Sequence, residues 1–151
     1  MKPIESISNA IDRIPVLIRV RGEQSFDGAE PDSTELTTEG LLCMTAEGFL
    51  LSYEESELTG MAGTTTAFEV QGERVILSRS GRVSSQMVFE EGKKNASLYE
   101  TPYGVMSMDI LTRELRHDMT EEGGTLDICY GITIQRSMCG QNRFHITVRK
   151  R

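Results

Sequence analysis

Hydrophobic and polar residues alternate along most of this chain with a period of two. Leu126, Ile128, Tyr130, Ile132 and Ile134 are separated by Asp127, Cys129, Gly131 and Thr133. Five apolar residues in alternate places are the mark of a strand with one buried and one polar face. The pattern recurs between glycine-containing turns. It predicts strands at Val16–Glu23, Glu35–Thr45, Phe49–Glu55, Thr64–Gln71, Arg74–Ser80, Ser84–Glu90, Asn95–Thr101, Val105–Leu115, Leu126–Ile134 and Arg143–Arg149. Glu47-Gly48, Gly72-Glu73, Gly81, Gly92-Lys93, Pro102-Tyr103-Gly104, Thr120–Gly124 and Met138–Gln141 supply turns or loops. A longer connection runs from Leu58 to Gly63.

About ten strands at roughly ten-residue spacing predict an all-β fold. Short connections join neighbours, so the simplest topology is an antiparallel up-and-down meander. A long meander leaves two exposed edges unless it closes. A barrel of about eight to ten strands is therefore preferred over a sandwich. The 151 residues fit a single β-barrel domain. Residues 1–13 read as an N-terminal extension, where Ile4, Ile7 and Ile11 have the spacing of a short helix. Pro15 argues against that helix continuing.

Strand parity then sorts the faces. Phe49 and Leu51 carry Tyr53 and Glu55 inward with them, and Phe68 and Val70 carry Thr64 and Thr66. Val75 and Leu77 put Arg79 inside; Met106, Met108 and Ile110 bring Thr112; Phe144, Ile146 and Val148 leave His145 and Thr147 outside. Parity leaves two choices open, Met87/Phe89 against Gln86/Val88, and Leu98 against Tyr99. The interior thus has an apolar stretch and a polar one. A buried arginine needs a counter-charge, and Glu55, two strands away in a meander, is the candidate. Two uses are open: a structural ion pair that plugs the barrel, or a cavity where Arg79 meets a carboxylate or phosphate and Tyr53, Glu55, Tyr99 and Thr112 surround the guest.

Composition adjusts this picture. A net charge of −7 argues against a phosphate-tracking surface, so no nucleic-acid partner is expected. No stretch approaches the roughly 20 apolar residues of a membrane helix, and no signal peptide is visible, so no membrane partner is expected. Three cysteines, Cys43, Cys129 and Cys139, without a CxxC spacing read as reduced thiols in a cytoplasmic protein. HExxH, P-loop, GxGxxG and GxSxG motifs are absent. With two histidines, no metal site and no cofactor are expected. His117-Asp118 reads as part of a charged turn, and His145 as a surface residue. Glu54 and Glu55 point to opposite faces of one strand, so only one of them serves an interior site. No catalytic residue is assigned.

Leu51-Ser52-Tyr53 with Glu55, Arg79-Ser80-Gly81, and Phe89 with Gly92 carry a resemblance. Tyr99, Gly104, Thr112, Gly124 and the Tyr130 strand continue it, over roughly residues 14 to 149. In these stretches the chain resembles the bacterial family of uncharacterised YwiB-like proteins. The resemblance implies a calycin-type, lipocalin-like barrel and carries no activity. The Gly-x-Trp of lipocalins is missing, since the chain has no Trp, so lipocalin ligands do not follow. The expectation is a non-enzymatic barrel binding a small amphipathic or anionic molecule at one end. The rivals are an interaction module with a filled barrel, and an enzyme using Glu55 or Tyr53 as proton carrier. Oligomeric state is not set by the sequence.

Overall fold

In the computed structural model ten antiparallel strands form a closed barrel. The structure describes residues 13–25, 30, 32–56, 62–81, 84–101, 103–134 and 137–151, with the backbone alone at 99–101 and 137–139. The strands are β1 (Arg13–Ser25), β2 (Asp32–Met44), β3 (Gly48–Glu54), β4 (Thr64–Gln71), β5 (Arg74–Gly81), β6 (Ser84–Glu90), β7 (Lys94–Thr101), β8 (Gly104–Thr120), β9 (Gly123–Ile134) and β10 (Ser137–Lys150). Each pairs with its sequence neighbours, and β1 also pairs with β10, from Val16 opposite Lys150 to Ser25 opposite Gln141. Closure removes the open edges that a ten-stranded meander would expose. The sandwich alternative is excluded. The expected short helix at residues 2–13 lies outside the described residues except for Arg13, which is the first residue of β1.

Period-two patterning builds the core. Val16, Ile18, Leu51, Val70, Val75, Leu77, Phe89, Ile110, Leu126, Ile128 and Ile146 are buried on the inner face. The open choice in β6 resolves to Met87 and Phe89, which are buried, with Ser85 beside them. In β7 it is Ser97 that is buried, while Leu98 is exposed. Gly72 and Gly92 turn the chain with φ of 62° and 79°, in the left-handed region that tight hairpin turns require.

Several sequence-based boundaries shift. β1 begins at Arg13 and contains Pro15, two positions from its N-terminal end, where a missing N–H costs little. β8 runs on to Thr120, so His117 and Asp118 lie in a strand and not in a turn. A bulge between Thr112 and Glu114 explains why parity concealed this. An extra residue moves the inward set from Met108, Ile110 and Thr112 to Leu115 and Met119, which pack against the core. Residues 138–141 likewise belong to β10, with a register shift between Met138 and Gly140, and not to a turn. Met106 keeps the inward parity but is 42% exposed, because β8 there runs past its last pairing with β9, Met108 opposite Ile134.

The two ends of the barrel differ. At one end lie the turns at 45–47, 72–73, 91–93 and 121–122. There the His117 ring packs edge-on to Phe49, with ring centroids 5.9 Å apart, and its Nε2 lies 2.7 Å from the Gly72 carbonyl oxygen. His117 thus links β8 to β3 and to the β4–β5 turn at this end. Tyr53, Glu55, Thr64 and Arg79 lie toward the opposite end, whereas Thr112 sits beside the 91–93 turn.

Candidate functional site

The register carries one inward row across four strands. Tyr53 of β3 lies opposite Thr66 of β4, Thr66 opposite Arg79 of β5, and Arg79 opposite Ser85 of β6. In an antiparallel sheet, directly opposed residues share a face. Apolar parity in β3, β4 and β5 therefore forces their polar members together. Glu55 follows Tyr53 by two residues and joins the row from the strand end, its N–H donating to the Thr64 carbonyl at 2.8 Å.

Glu55 is buried. Its carboxylate accepts a hydrogen bond from Thr66 Oγ1 at 2.5 Å and one from the Tyr53 hydroxyl. Arg79 Nε stands 4.0 Å from Glu55 Oε2, and the arginine side chain keeps 17% of its surface against 2% for the glutamate. The expected pair therefore exists as a charge contact, too long for a hydrogen bond. Burial pushes the Tyr53 hydroxyl well above its ordinary pKa; the Glu55 charge and hydrogen bond push the same way, and Arg79 and Thr66 oppose them. Tyr130, on β9, is likewise pushed up by burial, with Arg79 pulling it down. The guanidinium thus acts electrostatically on a phenol four strands round the barrel. Tyr130 belongs to an aromatic group, with ring centroids 4.8 Å from Phe89 and 5.8 Å from Phe144.

Four buried side-chain atoms among the described residues have no hydrogen-bond partner: Thr64 Oγ1, Arg79 Nε, Asn95 Nδ2 and Thr112 Oγ1. All four belong to inward positions. Thr64 and Thr112 are fully buried, Thr112 opposes Tyr130, and Asn95 opposes the buried Ile110. A few such groups per hundred residues are ordinary in native proteins, and each calls for an explanation such as a bound water, an ion or a guest.

Of the sequence-derived residues, Tyr53, Glu55 and Arg79 come together, and Thr112 lies on the inner wall. Tyr99 opposes Ser85 in the backbone register, but its side chain lies outside the described residues. Ser85 and Asn95 were missed because parity in β6 and β7 was ambiguous. Glu54 points outward as expected and accepts from Thr65 Oγ1 at 2.8 Å. His145 sits on the outer face with its Nδ1 2.7 Å from Asp127 Oδ1. Among the described residues, no group of three or more His, Cys, Asp or Glu is arranged to hold a metal.

Two surface clefts lie away from this row. One, of about 540 Å³, is bordered by Glu23, Glu114, Cys129 and Arg143, with Arg143 Nε donating to Cys129 Sγ at 2.9 Å. The other, of about 290 Å³, is bordered by Glu73, Arg74, Glu90, Glu91 and Lys93 at the His117 end.

Comparison with known proteins places this geometry. The model of a family described as a domain of unknown function, DUF1934, matches residues 18–146. The chain belongs to this family. Its similarity to the uncharacterised β-barrel protein YwiB of Bacillus subtilis amounts to 25% identity over 120 residues, 80% of this chain and 82% of that protein. The crystal structure of YwiB superposes with a TM-score of 0.83 at 22% identity, over 93% of this chain and 94% of the other. The bacterial β-barrel family expected from the short matching stretches is therefore the right one, and the shared fold is the closed barrel described above. Neither relative brings an activity to this DUF1934 domain.

Proposed function

We propose that this DUF1934 barrel is a non-enzymatic binding protein whose polar lumen end holds a small amphipathic or anionic molecule. The observation that carries the reading is the set of unpartnered polar atoms on the inner wall, at Thr64, Arg79, Asn95 and Thr112. An interior without a guest gains nothing from them, because an unsatisfied buried group costs roughly 1–3 kcal/mol. Ordered water or a polar guest removes that penalty. Tyr53, Glu55, Arg79 and Thr112 are the proposed contacts, with Tyr99 reached along the same row. Binding inside an up-and-down barrel is the part of the expected calycin likeness that this proposal takes up.

Native mass spectrometry of gently purified protein tests the proposal. A co-purifying mass below about 500 Da, lost on unfolding, is the expected result; it is a size that one small lumen guest would have. A bare protein mass, together with slow-exchanging lumen water as the sole occupant, overturns it.

A second reading, an interaction module, has its own observation. Leu98, Tyr103, Val105 and Met106 are all exposed on the β7–β8 hairpin. Apolar exposure gathered in one hairpin favours contact with another surface. Concentration-independent sedimentation as a monomer, with no change on mutation of Tyr103 and Val105 to Ser, counts against it. The proton-carrier reading gains little. Burial holds the Tyr53 hydroxyl protonated, and the Glu55 carboxylate is engaged by two hydroxyl donors.

A further inference from the structure

Closure of the barrel leaves one stretch of β2 uncovered. β2 pairs with β1 along nearly all its length, from Asp32 opposite Gln24 to Cys43 opposite Arg13. On its other side it pairs with β3 only from Gly40 to Met44. The cause is local. One step further, Glu39 would stand directly against Glu54, and opposed like charges destabilise a sheet. β3 ends there, and the Glu55 N–H turns to the Thr64 carbonyl of β4 at 2.8 Å. Asp32–Glu39 is therefore a strand edge about 27 Å long. Among the described residues, nothing pairs with its backbone on the β3 side.

Such an edge offers alternate N–H and C=O groups to an incoming strand. Side chains select the occupant. Leu36 and Thr38 carry the inward parity, and Leu36 packs against the core, whereas Glu35, Thr37 and Glu39 face outward. Glu39 meets Arg151 at 3.1 Å, but among the described residues Glu35 and Glu54 have no cation within 4.0 Å. Arg19 and Arg21 of β1 lie on the paired side, and Arg21 is held by Glu23 at 3.4 Å. The open side is thus acidic. A second copy fits it badly: self-pairing centred on Glu35 or Thr37 sets like carboxylates opposite each other, between chains that each carry −7. We propose that the β2 edge Asp32–Glu39 accepts, by strand addition, an extended peptide of another protein in which basic residues alternate with β-branched apolar ones. The basic residues lie against Glu35, Glu39 and Glu54, and the apolar ones beside Leu36 and Thr38. The site is apart from the lumen and from the β7–β8 hairpin, and depends on neither.

Fluorescence anisotropy and amide hydrogen exchange on the full chain test this with peptides of about nine residues, enough to span the edge. One alternates Lys and Val, one alternates Glu and Val, and one groups the Lys and Val residues in two blocks. The alternating Lys–Val peptide is expected to bind at least tenfold more tightly than either other peptide and to slow exchange at alternate amides of Asp32–Glu39. Glu35→Lys, at an exposed side chain without an ion pair, should keep the fold and weaken binding at least tenfold. Glu73→Lys, in the turn at the far end, makes the same change in net charge and should leave binding within about twofold. Equal binding of the block peptide reduces the effect to charge and overturns strand addition. Equal binding of the Glu–Val peptide overturns the basic partner. No binding, or exchange unchanged in β2, leaves the carboxylates as guards against pairing and overturns the site. Protection of the same amides that rises with protein concentration, without peptide, assigns the edge to a second copy and overturns the foreign partner.

Discussion

Replacing Arg79 with Met removes the one cation beside a buried carboxylate and keeps most of the side-chain volume. At 4.0 Å the gross attraction between two unit charges is about 4 kcal/mol in an effective dielectric of 20. Two features reduce the net value. Arg79 retains 17% of its surface, so solvent screens it in part, and Glu55 keeps the hydroxyls of Thr66 and Tyr53 when the arginine is gone. The loss expected for Arg79→Met is therefore about 2–3 kcal/mol, at or below the lower end of the range for a broken buried pair. Glu55→Gln alone should cost about 1–2 kcal/mol, since the amide still accepts from a hydroxyl. The double variant isolates the pair: it should be less destabilised than the two singles combined by about 1–2 kcal/mol. Urea unfolding followed by far-ultraviolet circular dichroism is the assay, because the chain has no Trp to report by fluorescence. The slope of the transition should be the same in all four proteins, so that the midpoints report stability. Single-variant losses that add to within about 0.3 kcal/mol would refute the coupling, and with it the view that Arg79 and Glu55 share one polar cluster.

Three further outcomes are expected. Tyr53 and Tyr130 have folded-state pKa values raised above the ordinary value near 10, so their contribution is whole below about pH 10 and is lost as pH rises toward the folded values, by up to about 1.4 kcal/mol per pH unit for each. Ultraviolet titration of the four tyrosines should show these two ionising only as the barrel unfolds, and Tyr53→Phe with Tyr130→Phe should flatten the alkaline loss; a stability unchanged between pH 10 and 11 contradicts this. A methyl group at Gly40 would meet Ser52 O and Ile18 Cδ1 at 2.4 Å, so Gly40→Ala should lose about 3 kcal/mol or more by urea unfolding, and a loss under about 0.5 would be incompatible with the tight β2–β3 approach. Deleting Arg113 at the β8 bulge should abolish cooperative unfolding, because Leu115 and Met119 would change faces, whereas Arg113→Ala should stay within about 0.5 kcal/mol; a deletion variant that folds normally would show the bulge to be dispensable.

How legible the fold was follows from which signals are local. Alternation marked β4 (Thr64–Gln71) to its ends, and flanking turn residues bounded β6 (Ser84–Glu90), whose faces alternation left open. Each is bounded by glycine-containing turns, and neither contains a bulge. The inward facing of Tyr53, Glu55, Thr66 and Arg79 was legible from parity in β3, β4 and β5. The short Gly72-Glu73 turn also fixed Thr66 against Arg79, whereas the longer β3–β4 connection left the Tyr53–Thr66 register open. β8 was read too short because the bulge at Arg113 shifts the apolar set by one, and Leu115 then looks like the end of a pattern. β10 was read too short because Met138, Gly140 and Gln141 have turn-like composition, yet Gly131 and Ile132 of β9 sit opposite them. Closure itself could be argued only from the cost of open edges; nothing local in Val16 or Lys150 says that they pair. The unpartnered state of the Thr64 and Thr112 hydroxyls was beyond sequence reasoning altogether, because it depends on what stands across the lumen and not on what precedes or follows in the chain.

The proposed binding use of the ion pair rests on how its groups are partnered. A structural plug would place Arg79 and Glu55 in direct hydrogen bonds, as buried pairs need if attraction is to offset desolvation. It would also leave the neighbouring hydroxyls satisfied, or replace them with apolar groups of the same shape; Val in place of Thr64 or Thr112 would fill the same space. Instead the pair is held at 4.0 Å, Glu55 is satisfied by hydroxyls, and three other inward side chains besides Arg79 hold atoms without partners. At the opposite end His117 touches both the Phe49 ring and the Gly72 carbonyl. The four atoms are spread along the inner wall: those of Thr64 and Arg79 lie toward one end, and those of Asn95 and Thr112 beside the 91–93 turn, where the Gly92 N–H donates to the Thr112 carbonyl at 2.8 Å. Under the binding proposal, those atoms are the groups that a guest or ordered water would meet.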